Sequence, residues 1–148
     1  MIFLSRDNYE PLIPGRIFVG GVDALDHLLE AEKIDVIYDL RAEVKGELPS
    51  EKSVHQPIVD EAALQEQSID QATQAVMAAY HSGKNVYFHC NTGRGRGGTI
   101  AAAVLLELGQ AETVVEAEEK VKAIRPTTNI RPEFREALNN IYSDCGKK

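Results

Sequence analysis

His89-Cys90-Asn91-Thr92-Gly93-Arg94-Gly95-Arg96-Gly97-Gly98-Thr99 is the stretch on which the fold and the chemistry of this chain turn. Before it stands Asn85-Val86-Tyr87-Phe88-His89, the clearest strand pattern in the sequence. After it comes a helical pattern from about Gly97 to Leu108, closed by Gly109. Glycines between a strand and a helix let the backbone turn sharply, so that successive N–H groups converge on one point. The helix aims its positive N-terminal end at the same point. Such a turn is a cradle for a tetrahedral dianion. Arg96 adds a planar fork that can hold two phosphate oxygens. Cys90 lies at the base of the cradle, and a thiol beside a helix N-terminus and guanidinium groups ionises readily. A thiolate beneath a bound phosphate is a nucleophile in line with phosphorus. Five residues separate Cys90 from Arg96, enough to wrap once around the anion.

Outward from this turn the chain alternates short β-branched runs with helical patterns and shows no internal repeat, linker or low-complexity tract. Arg16 to Gly20 and Asp35 to Leu40 read as strands, and Val54 to Val59, containing Pro57, as a weaker one. Asp23 is placed to cap a helix running to about Lys33, with Leu25, Leu28 and Leu29 inward. Ser68 is placed to cap a long helix to about His81, ended by Gly83. Further helices are expected over about 112–124 and from Pro132 onward, with Phe134, Leu138, Ile141 and Tyr142 packing. The expected fold is α/β, one domain over residues 1–148, with a central, mostly parallel sheet of about four to five strands and helices on both faces.

The 148 residues are 43% hydrophobic and 26% charged, ordinary values for a globular domain with a real core. No apolar run approaches the roughly 18 residues of a membrane span. The first residues are too quickly charged for a signal peptide, so a cytoplasmic location is expected. Cys90 and Cys145 lie far apart with no CxxC pair, which argues against a disulfide framework or a zinc site. The net charge of −7 speaks against nucleic acid as a partner and against stable membrane association.

His-Cys-x5-Arg with Gly93 and Gly95 inside the loop resembles the signature of the protein-tyrosine-phosphatase superfamily, and His-Cys-x-x-Gly-x-Gly-Arg-x-Gly-Thr looks like its dual-specificity branch. Ile13 to Gly20, Val36 to Arg41, and Arg125-Pro126 followed by Asn129 and Phe134 resemble further segments of that branch, in the right order. The resemblance implies a phosphomonoester hydrolase with a phosphocysteine intermediate, acting without cofactor or metal on phosphorylated proteins or small phosphomonoesters. Residues 91–96, that is Asn91, Thr92, Gly93, Arg94, Gly95 and Arg96, would surround the phosphate, with His89, Thr99 and Asn129 in support. It also implies a general acid about 30 residues before the cysteine. Asp60 stands at that spacing, with Glu61 as second choice, because an oxyanion leaves poorly unless a carboxylic acid supplies its proton. The same carboxylate would take a proton from the water that attacks phosphocysteine. His89 is expected to hydrogen-bond locally and not to act as acid or base. Asn129 would help position that water. Arg94 reads as a rim charge, and Arg41 as a partner for a carboxylate such as Glu43. The departure is Gly97. The family carries Ser or Thr there, whose hydroxyl stabilises the leaving sulfur; Thr92 or Thr99 would have to take its place.

Three other classes meet the same residues. Gly93-x-Gly95-x-x-Gly98 formally matches a dinucleotide-binding fingerprint, but it follows the last clear strand and has no acid ending a strand about 20 residues on. An Arg-Gly nucleic-acid segment is normally longer and lies outside apolar structure. A phosphate-binding module without catalysis would not need Cys90 and Asp60 with Arg96. Among substrates, phosphoinositides or inositol phosphates are the alternative to phosphoproteins. Arg94 stands where such relatives carry a basic residue, while the companion position is neutral Asn91.

Overall fold

In the computed structural model, residues 8–91 and 94–142 are described. Five strands form one sheet: β1 (Tyr9–Ile13), β2 (Ile17–Gly21), β3 (Val36–Asp39), β4 (Ser53–His55) and β5 (Val86–Cys90). Their order is β1-β2-β5-β3-β4. The β2–β5, β5–β3 and β3–β4 pairings are parallel, and only β1 runs antiparallel, against β2. The β1–β2 turn, Pro14-Gly15-Arg16, needs Gly15 at φ +77°, a left-handed conformation in which a Cβ is strained.

The central strand β5 is buried along its length, and its alternation sorts side chains between the two faces. Val86, Phe88 and Cys90 join Ile17 and Val19 in the main core, under α2 (Ala62–His81), α3 (Arg96–Glu107), α4 (Val114–Ile124) and α5 (Pro132–Tyr142). Tyr87, Phe18 and Ile37 face the other way and pack with Leu25 and Leu28 of α1 (Leu25–Ala31). The expected sheet with helices on both faces is therefore present, four on one face and one short helix on the other. Period-2 burial is what delivers Cys90 to the four-helix face at the carboxyl edge of the sheet. That edge, where parallel strands hand over to helices, is where open α/β folds place ligands.

Three local expectations are corrected, and one strand is added. Asp23 is not a helix cap: residues 22–24 form a short 3-10 turn, and the Asp23 carboxylate accepts a 2.8 Å hydrogen bond from Asn8. Helix α2 begins at Ala62, not after Ser68. The buried Ser68 hydroxyl instead donates to the Gln65 carbonyl (2.8 Å) and accepts from the Val59 N–H (3.1 Å), pinning the preceding loop onto the helix. The 54–59 segment is a strand only at Ser53–His55. Past β4 the chain still runs beside the end of β3, with the Gln56 and Ile58 N–H groups donating to the Asp39 and Leu40 carbonyls at 2.9 and 3.1 Å. Strand β1 was not foreseen. The buried Arg125 ties it to the end of α4, with Nη1 to Glu10 Oε1 at 2.5 Å and Nη2 to Asn8 Oδ1 at 2.6 Å.

Candidate active site

Cys90, the last residue of β5, sits 7% exposed at the floor of a cleft of about 600 Å³. Asn91, Arg94, Gly95 and Arg96 line this cleft from the loop and the start of α3, with Asp60 and Asn129 across from them. Thr92 and Gly93 lie outside the described residues, as does Cys145. The loop is tied at both ends. The Asn91 carbonyl accepts from the Val22 N–H (3.3 Å), and the Arg94 carbonyl accepts from the Asn129 N–H (2.9 Å). Asn129 thus lies against the loop and holds it through its backbone. Gly95 is the N-cap of α3, so the positive end of a twelve-residue helix opens into the cleft.

Arg96 opens α3, with its side chain only 13% exposed, and it reaches across to the segment carrying Asp60. Its Nε donates to the Ile58 carbonyl at 2.7 Å and its Nη2 to Asp60 Oδ1 at 2.7 Å. Asp60 Oδ1 also accepts from Arg131 Nη1 at 3.2 Å. Both guanidinium groups lie over the buried Phe134 ring, at 5.7 Å for Arg96 and 4.9 Å for Arg131. Burial at the cleft pushes the Asp60 carboxyl up, but the Arg96 charge and the hydrogen bonds from Arg131 and Arg96 outweigh it. The carboxyl is held below its ordinary value. Asp60, 30 residues before Cys90, therefore meets Arg96, while Glu61 is the N-cap of α2.

Arg41 also lines the cleft, but its partner is Asp39 and not Glu43. The fully buried Asp39 carboxylate takes Arg41 Nε at 2.9 Å and Nη2 at 2.6 Å, a two-point grip between alternate residues at the end of β3. Burial raises the Asp39 carboxyl, but the hydrogen bonds and the charge of Arg41 outweigh it, leaving it below its ordinary value. His89 stands beside Asp39 in the β3–β5 register. It is fully buried, and its Nδ1 lies 3.2 Å from the Cys90 carbonyl, to which it can only donate. Burial pushes the imidazole pKa down, with Asp39 partly opposing. The enclosed imidazole thus ties to the backbone at Cys90, a local hydrogen bond of the kind expected of it.

Thr99 is fully buried, and its hydroxyl proton is donated to the Gly95 carbonyl at 2.8 Å. It supports the helix start and has no second proton for the Cys90 sulfur. Gly97 lies inside α3 against Cys90: a Cβ there would stand 3.8 Å from Cys90 Sγ and 3.2 Å from Val19 Cγ2. The residue that sequence reasoning missed is Arg131. It lies 35 positions beyond Arg96, outside the loop motif, and only the packing of α5 beside α3 brings it to Asp60.

The model of the dual specificity phosphatase catalytic domain matches residues 17–144. Over 59 residues the chain is 37% identical to the phosphatidylglycerophosphate phosphatase PTPMT2 of Arabidopsis thaliana. That stretch covers 40% of this chain and 25% of the plant protein. Human DUSP28 superposes with a TM-score of 0.75 at 20% identity, over 95% of this chain and 96% of the other. PTPMT1 in its complex with PI(5)P superposes at 0.76 and 20% identity, over 93% and 96%. At such identities the structural likeness shows the fold, and the family match adds the lineage. With its five-stranded sheet, its strand–loop–helix cradle and a family match across most of its length, the chain belongs to the dual-specificity phosphatases of the protein-tyrosine-phosphatase superfamily.

Proposed function

We propose that this chain hydrolyses phosphomonoesters through a phosphocysteine intermediate, with Cys90 as nucleophile, Arg96 as phosphate ligand and Asp60 as acid and base. The observation that carries the reading is Cys90 at the floor of the cleft with Arg96 and Asp60 paired at 2.7 Å across it. The Cys90 thiolate attacks phosphorus as the bond to the leaving oxygen breaks, and Asp60 supplies that oxygen with a proton. The loop N–H groups, the N-terminus of α3 and Arg96 hold the negative charge of the transferring group. Water then attacks phosphocysteine, its proton passing to the Asp60 carboxylate, and the S–P bond breaks to return thiolate and inorganic phosphate. No step calls for a metal or cofactor.

Phosphotyrosine or mixed phosphoprotein substrates are the first reading. A phosphoinositide or related phospholipid headgroup is the second, favoured by a specific observation: Arg41, Arg94, Arg96 and Arg131 all line one cleft of an acidic protein. A turnover panel of phosphotyrosine, phosphoserine and phosphoinositide substrates, with Cys90→Ser as blank, tests both. Turnover that vanishes in Cys90→Ser supports the mechanism, and the preferred substrate decides between the readings. Full activity in Cys90→Ser would refute the mechanism.

A further inference from the structure

Arg96 meets Asp60 in the resting site with the same two nitrogens that a planar fork presents to phosphate. Its Nε is taken by the Ile58 carbonyl and its Nη2 by Asp60. A two-point grip on substrate through that edge requires Arg96 to exchange both contacts for phosphate oxygens. The exchange frees Asp60 from the cation that holds it, at the moment when its proton must be aimed at the leaving oxygen. A second cation is already in place. Arg131 Nη1 lies 3.2 Å from Asp60 Oδ1, its guanidinium rests over the buried Phe134 ring, and the neighbouring Glu133 carboxylate stands 3.7 Å from Arg131 Nη1. Arg131 immediately precedes α5, whose first turn begins with a 2.9 Å bond from the Arg135 N–H to the Arg131 carbonyl. Its backbone is therefore anchored at the start of α5.

We propose that Arg131 is the positioning residue that keeps Asp60 over the cleft once Arg96 has passed to the substrate phosphate. The inference rests on the reading of Asp60 as general acid. The charged and titratable groups that face Asp60 across the cleft are Arg96 of α3, Arg94 of the loop, Cys90 at the end of β5, Arg41 and Glu43 beyond β3, and Arg131 itself, with Glu61 next in the chain. Of these, Arg96 and Arg131 bond to the carboxylate. Loss of Arg131 has two consequences that point in opposite directions. The acid is less well placed, so substrates with strongly basic leaving groups suffer more than activated aryl phosphates, which need little proton donation. The carboxyl also loses a neighbouring cation, which lets it hold its proton to higher pH.

The experiment compares wild type, Arg131→Ala, Arg131→Lys and Asp60→Asn, measuring kcat/KM against pH for phosphotyrosine and for an activated aryl phosphate. In Arg131→Ala the ratio of phosphotyrosine to aryl phosphate activity should fall roughly three- to fivefold, the scale of one partly exposed charge pair. The alkaline limb for phosphotyrosine should move to higher pH, and Arg131→Lys should restore both in part. A general structural defect would lower both substrates together and leave the limb in place, and that result would overturn the proposal, as would an unchanged ratio. If Asp60→Asn keeps the wild-type alkaline limb, Asp60 is not the acid and the reading beneath the inference fails as well. An altered Asp60→Asn profile beside an unaltered Arg131→Ala profile refutes the role of Arg131 alone.

Discussion

Replacing Gly97 by serine should convert a handicap of this site into a measurable gain. The phosphocysteine step ends with sulfur leaving as a thiolate, and a hydroxyl donating to that sulfur lowers the barrier. Thr99 cannot supply it, because its proton is committed to the Gly95 carbonyl at 2.8 Å, and Thr92, the other candidate, lies outside the described residues. At Gly97 a Cβ would lie 3.8 Å from Cys90 Sγ, so a hydroxyl one bond further on comes within hydrogen-bonding reach of the sulfur. The obstacle is Val19 Cγ2 at 3.2 Å, which must give by a few tenths of an ångström. Gly97 lies in α3, a conformation open to serine, and serine costs a helix a few tenths of a kcal/mol less than glycine. One charge-assisted hydrogen bond contributes about 1.5–3 kcal/mol. At 1.36 kcal/mol per decade that is roughly a 10- to 150-fold faster breakdown. Rapid mixing of wild type with an activated aryl phosphate should show a burst of phenol stoichiometric with enzyme, followed by slow turnover. Gly97→Ser should shrink the burst and raise kcat. A linear wild-type trace, with no gain from Gly97→Ser, would refute the reasoning and mean that sulfur departure is already assisted or that the first step is slower.

Arg96→Lys keeps one charge but loses the planar fork and the Nε contact to Ile58, so kcat/KM should fall well over tenfold. A fall of less than about threefold, under 1 kcal/mol, would mean that Arg96 does not clamp the phosphate. Arg41→Ala leaves the fully buried Asp39 carboxylate without its two-point partner and should cost roughly 3–5 kcal/mol, or about 10 °C in Tm, by thermal unfolding. Because the folded Asp39 carboxyl is held below its ordinary value, its pairing contributes stability above the unfolded value near 3.9 and loses it as pH falls through the lower folded value. The gap between wild type and Arg41→Ala should therefore narrow below about pH 4.

The cradle was legible because every level of the sequence agrees there: a Val-Tyr-Phe run for β5, glycines for the turn and an apolar helical run for α3. Asp60 was legible through spacing, and the structure gives the reason, since the chain beside β3 carries residues 56–58 along the sheet edge to the cleft. Strand β1 was obscured by polarity. Tyr9-Glu10-Pro11-Leu12-Ile13 contains a proline and buries only Leu12, as an edge strand can. The start of α2 was obscured because Ala62 to Gln67 propagates a helix without a side-chain cap, whereas Ser68 is a residue type that usually marks a beginning. The Arg41 partner was within reach: Asp39 and Arg41 are two apart at the end of a strand, and alternate residues share a face. Arg131 carried no local signal, because its meeting with Asp60 spans 71 positions and exists only once α5 has packed.

The most direct test of the central claim is to quench wild-type enzyme in acid during turnover of an activated aryl phosphate and map the modified residue by peptide mass spectrometry. One phosphoryl group should appear on the peptide containing Cys90, accumulating in wild type, reduced in Gly97→Ser and absent in Cys90→Ser. Turnover in Cys90→Ser at the wild-type rate, or a phosphoryl group trapped on a residue other than Cys90, would contradict that claim.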